Sequence, residues 1–111
     1  MRRHWMIIAL LLLAATACSN RVRKPEVFLD EPRMIDVMTD AYLIEAQLNL
    51  KKGDGKNIDS LQVAYYSQLF EHYGITDSIF EENMDYYTHH PSILERVMDS
   101  VTNRFAKAQG Q

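Results

Sequence analysis

Cys18 is the only cysteine in the 111-residue chain, and a thiolate is the most readily activated side-chain nucleophile. Its setting points to modification rather than catalysis. Arg2, Arg3 and His4 form a basic stretch and Trp5 to Leu13 an apolar one, and Ala14-Ala15-Thr16-Ala17 places small residues directly before the thiol. That order reads as a bacterial lipoprotein signal, cleaved before Cys18, with acylation of the thiol and of the new amine. An uncleaved anchor would need about 20 apolar residues, and here Thr16 interrupts the run. A plain secretory signal would leave Cys18 as a lone reactive thiol, which an exported protein seldom keeps. Ala15 departs from the pattern, since leucine is usual at that position.

The remaining reactive side chains form no recognisable catalytic set. His72, His89 and His90 with Asp85 are the only cluster of metal-binding types. Adjacent histidines point about 100° apart on a helix, unlike the i, i+4 pair of a zinc helix. A helix-end role ahead of Pro91 is therefore expected, and no metal is assigned. No serine stands in a G-x-S-x-G elbow. Gly55-Lys56 lacks the glycine spacing, the Ser/Thr and the preceding strand of a phosphate loop, and reads as a turn. Asp36 and Asp40, one turn apart near a helix N-terminus, complement the helix dipole.

Glu45 borders an apolar stripe, where a carboxylate loses solvation and needs donors such as the hydroxyls of Tyr66 or Tyr73. One reading is a buried acid with a raised pKa that orients a ligand or moves a proton. The favoured reading is a side chain at the stripe's edge whose head reaches water or a tyrosine. No catalytic residue and no cofactor is assigned, and the chain is read as non-enzymatic.

The tyrosines favour binding. Neighbours on a helix cannot both face one core, so Tyr65 or Tyr66, and Tyr86 or Tyr87, should each leave a ring partly exposed. Tyrosine gives interface area at low entropic cost, and Met38 and Met84 could soften the same surface. With Tyr42, these are the candidate partner-binding residues. The alternative is that both rings of each doublet pack between three helices.

The elements that must position them are helical. Residues 18–29 read as the lipidated cysteine and a tether, stiffened by Pro25, whose Val27, Phe28 and Leu29 fold back onto the domain. The eleven residues from Ser19 to Leu29 span at most ~35–40 Å when extended. Asp30 is a plausible N-cap, with Leu29 and Met34 at hydrophobic-staple spacing and Pro32 in the tolerated first turn. Met34, Val37, Ala41, Ile44 and Leu48 then form one stripe up to Gly53. A second helix is expected from an Asp59 or Ser60 cap to Tyr73, with Gly74 left-handed behind it. A third runs from the Thr76–Ser78 caps, where Ser78 and Glu81 match a capping box, to about Tyr87. A fourth runs from Pro91 to Ala108. No segment alternates strictly. The fold class is all-α, a small bundle of three to four helices after a cleaved lipoprotein signal peptide and a short tether, with domain boundaries at 1–17, 18–29 and 30–111.

Cleavage would remove Arg2 and Arg3, leaving ten Lys/Arg against fifteen Asp/Glu. The acids are spread over every helical segment, a balance that gives solubility and disfavours nucleic acid. Arg21, Arg23 and Lys24 are the basic exception, placed where they could touch lipid headgroups or simply solvate the tether. A domain of about 80 residues without a disulfide is marginal, and many such domains are completed by a partner or by self-association.

The run Met34-Ile35-Asp36-Val37-Met38-Thr39-Asp40-Ala41-Tyr42-Leu43-Ile44-Glu45-Ala46 resembles the first motif of domain-of-unknown-function family 4296, short lipoproteins of Bacteroidota. Tyr65-Tyr66, Phe70-Glu71-His72-Tyr73-Gly74-Ile75-Thr76, Phe80, Tyr86-Tyr87 and His90-Pro91 follow in the same order. Tyr42 stands where many relatives carry histidine. The resemblance spans about Glu31 to Phe105 and implies a small helical envelope lipoprotein with no established activity. It also implies that an acidic run after the cysteine marks surface export. Here Ser19 to Lys24 is basic, which favours the periplasmic side of the outer membrane. The expectation is a lipid-anchored periplasmic module that binds an envelope protein or itself. The alternative is a small-ligand carrier or weak hydrolase with Glu45 and tyrosines lining a pocket.

Overall fold

The computed structural model describes residues 2–17 and 23–110. Cys18, its lipidation and the first residues of the tether lie outside the described residues. Within them there are five helices and no strand: α1 (Arg2–Ala17), α2 (Glu31–Gly53), α3 (Ile58–Tyr73), α4 (Asp77–Thr88) and α5 (Pro91–Ala108). Three to four helices were expected after residue 30, and four are found there. The fifth, α1, occupies the segment read as a signal peptide, with Trp5, Met6, Ile7, Ile8 and Leu10 exposed. No described helix is long and apolar enough to cross a membrane.

Local chemistry explains most boundaries, with two shifts from expectation. Asp30 caps α2, its carboxylate accepting the Arg33 N–H at 3.1 Å, and Leu29 and Met34 are both fully buried. At the other end α2 closes at Gly53, as expected, and the left-handed residue is Gly55, at φ 78°. Asn57 rather than Asp59 or Ser60 caps α3, because its amide oxygen reaches the Asp59 N–H at 3.1 Å. Gly74 behind α3 is left-handed, at φ 66°. The Gly74 N–H then reaches the Glu71 carbonyl at 3.1 Å and the Ile75 N–H that of Phe70 at 2.9 Å, which satisfies two terminal carbonyls and buries Ile75. Thr76 caps α4 through the Ile79 N–H, so Ser78 and Glu81 do not form the cap.

The long α2 helix is central. It packs against α5 on one side and α3 on the other, and α4 packs against α5. Met34, Val37, Met38 and Ala41 of α2 meet Val97 and Val101 of α5, Leu69 of α3 and Tyr86 and Tyr87 of α4 in one apolar cluster. Leu69 is the only buried residue of α3. No extensive seam joins α3 to α4.

Candidate functional site

The buried polar centre of the domain is Asn83, fully enclosed in the middle of α4. Its amide oxygen accepts the Leu29 N–H at 2.8 Å, and its amide nitrogen donates to the Val27 carbonyl at 2.9 Å and the Ile79 carbonyl at 2.8 Å. One turn on, the Tyr87 hydroxyl donates to the Leu29 carbonyl at 2.6 Å. These bonds hold the non-helical segment 27–29 on α4 through its backbone groups. Phe28 completes the clamp, edge-on to Tyr86 at 5.1 Å and stacked on Tyr87 at 6.0 Å, with the Lys24 ammonium 4.9 Å above its ring. Burial pushes the Tyr87 phenol up to about 12, with smaller contributions from Glu31, Tyr86 and Asp30.

This corrects several candidate residues. Tyr86 and Tyr87 were expected to leave one ring exposed, yet both are buried, because the returning segment covers what would otherwise be the free side of α4. Met38 is buried as well, facing the cluster from α2. At Tyr86 and Tyr87 the alternative holds, with both rings packed inside, and Met38 joins them in the core. Met84 is half-buried against the same cluster. Tyr42 is partly exposed, its ring edge-on to Phe105 at 6.1 Å. Tyr65 and Tyr66 are both half-buried.

Glu45 is exposed, in keeping with the favoured reading of an edge side chain and not with that of a buried acid. It lies at the edge of the α2 stripe, where its carboxylate accepts the Tyr66 hydroxyl at 2.5 Å. Tyr73 bonds not to Glu45 but to Asp40, also at 2.5 Å. Burial raises both phenols above their ordinary pKa, and the accepting carboxylates add to it. The two pairs tie α3 to α2. His89 and His90 sit at helix ends, as expected. Their Nδ1 atoms lie 2.8 Å from the Asp85 carbonyl and 2.7 Å from that of Tyr86, so the Nδ1–H tautomers close the last turn of α4. Among the described residues no group of three metal-ligating side chains comes together.

What remains open is the angle between α3 and α4. Gln62, Val63, Tyr66, Ser67 and Phe70 of α3 face Asp77, Phe80 and Glu81 of α4 across a groove of about 450 Å³. Its floor is apolar: Phe70 meets Phe80 at 5.5 Å and Tyr66 meets Phe70 at 6.0 Å. Val63 on its wall is 68% exposed. Glu45 lines neither this groove nor the two smaller ones, beside Asp30 and beside His72.

Sequence reasoning overlooked both Asn83 and the groove, although each had a signal. Asn83 is four residues from Ile79 and from Tyr87, a polar side chain on an inward stripe. The groove follows from Val63 and Phe80 lying on helices too weakly paired to cover them. It is also marked by charge: from Asn57 to Glu95 the chain holds seven Asp/Glu and no Lys or Arg. A family model described as a domain of unknown function (DUF4296) matches residues 25–111. No curated protein and no solved structure matches the chain.

Proposed function

For a chain that belongs to the DUF4296 family, we propose a role as a lipid-anchored, non-enzymatic interaction module on the periplasmic side of the outer membrane. The matched span begins at residue 25, and Cys18, Arg21 and Arg23, which precede that span, are on this proposal the lipidation site and tether. The observation that carries the interaction reading is the groove between α3 and α4, where Val63 is exposed and Tyr66, Phe70 and Phe80 are only partly buried against the core. Large apolar side chains rimmed by polar ones mark contact sites for other macromolecules.

The clamp gives the module a defined standing distance. Since segment 27–29 is held on α4, residues 19–26 are what separates Cys18 from the clamp, and eight residues reach at most ~29 Å. That is shorter than the span available if Leu29 were free.

Two experiments test the reading. Cys18→Ser should abolish fatty-acid labelling, and undiminished labelling removes the anchor. A photoreactive residue replacing Ser67 in the groove should capture a protein in living cells. The same residue at Leu50, exposed on α2 and outside the groove, should not. Equal capture from both positions, or from neither, removes the interaction role.

A further inference from the structure

We infer that the α3–α4 groove receives a basic amphipathic helix of another envelope protein, two turns of it at the point of contact. This rests on the interaction reading above and names the chemistry of its partner.

Three features select that occupant. The first is charge. Every ionised side chain on α3 and α4 is an acid, and Asp77 and Glu81 stand on the groove's rim. Among the described residues neither is paired with a Lys or Arg; the arginine ion pairs join Arg96 to Glu31 and Arg104 to Asp36. Unpaired acids around an apolar floor attract Lys and Arg and repel anionic surfaces, nucleic acid and bilayer included. The second is backbone saturation. Both walls are helices whose N–H and C=O groups bond internally, and the turn between them is closed by Gly74 and Ile75. No free edge exists for an extended peptide to pair with, so recognition must pass through side chains, as in helix-in-groove binding. The third is length. The lining on α3 runs from Gln62 to Phe70, about 12 Å of helix. That matches two turns of a partner with large apolar residues at i, i+3 or i+4, and i+7, flanked by basic ones.

The test uses the protein as the cell processes it, held in neutral nanodiscs, with a photoreactive residue at Ser67. The probes are two peptides of about 14 residues, four helical turns, with leucines at 3–4 spacing and either lysine or glutamate elsewhere. Empty nanodiscs correct for membrane partition. The lysine peptide should be labelled at least about tenfold more than its glutamate twin, a difference of about 1.4 kcal/mol. Glu81→Lys should erase most of that preference while leaving the melting temperature unchanged. Equal labelling of the twins, or indifference to Glu81→Lys, overturns the inference.

The in-cell adduct at position 67 separates this inference from the broader one. A captured segment that is basic and helical supports both. A neutral or acidic segment keeps the interaction module and overturns this occupant. A second copy of the chain at that position overturns it in favour of self-association, and no adduct at all removes both.

Discussion

The two faces of α4 differ sharply. On one, Asn83 and Tyr87 spend every polar atom on the returning segment, and Leu29, Val97 and Val101 are sealed from water. On the other, Phe80 and Glu81 look across an open groove at Val63. A small domain needs one face closed to hold its shape, and the closure is made by the short segment 27–29 outside the helices rather than by a further helix. The open face is then available for contact because it contributes little to folding. Substitutions on the two faces should therefore have effects of different size and kind.

The largest loss is expected from Asn83→Ala. It removes three hydrogen bonds and leaves the Leu29 N–H buried without a partner, at a cost of about 3 kcal/mol in urea unfolding. Detachment of the segment would also lengthen the free tether. A loss below 1 kcal/mol would mean that the closed face is held by apolar contact alone.

Tyr87→Phe keeps the ring against Phe28 and deletes only the bond to the Leu29 carbonyl, at a cost of about 1–2 kcal/mol at neutral pH. The sign of its pH dependence is fixed by the raised phenol. Folding favours the protonated form, so the contribution is whole below pH 10, the unfolded value, and is lost as pH rises through about 12. The gap in stability between the natural protein and Tyr87→Phe should accordingly narrow across that window. A constant gap would show that the hydroxyl is not the titrating group.

How far the sequence revealed this contrast depends on the range of each signal. The α2 stripe, the Asp30 cap and the Gly74 turn are local, set by residues within one or two turns, and all three appear where expected. The cap at Asn57 was missed because several good capping residues compete within four positions and only backbone geometry chooses among them. Tyr86 and Tyr87 were misplaced for a non-local reason. The covering segment is 58 residues away from Tyr87 in the chain, and helical periodicity carries no information about it. Glu45 was located at the correct edge of its stripe and given the correct partner in Tyr66, but α3 leaves that edge open to water.

Charge does not explain the closed face. Arg96 reaches Glu31 at 2.6 Å and Arg104 reaches Asp36, both linking α5 to α2. All four side chains are at least 40% exposed, so water and salt screen both attractions. Arg96→Ala and Arg104→Ala should each cost about 0.5 kcal/mol, and less in 1 M salt. A cost above 1 kcal/mol that persists in salt would shift the source of stability from the buried amide to these pairs.

The smallest effect on folding is expected at the groove itself. Val63 is an apolar residue in mid-helix, a position at which truncation would normally open a cavity, yet its side chain is mostly in water. Valine and serine have similar helix propensities, so Val63→Ser should leave the unfolding free energy within about 0.5 kcal/mol. The same change removes an apolar wall from the contact site and should weaken labelling of the lysine peptide at position 67. Loss of labelling without loss of stability is the pattern that only an open, functional face produces. If Val63→Ser destabilised the fold as much as Tyr87→Phe does, the groove would have to close in solution, and the two faces of α4 would not differ in kind.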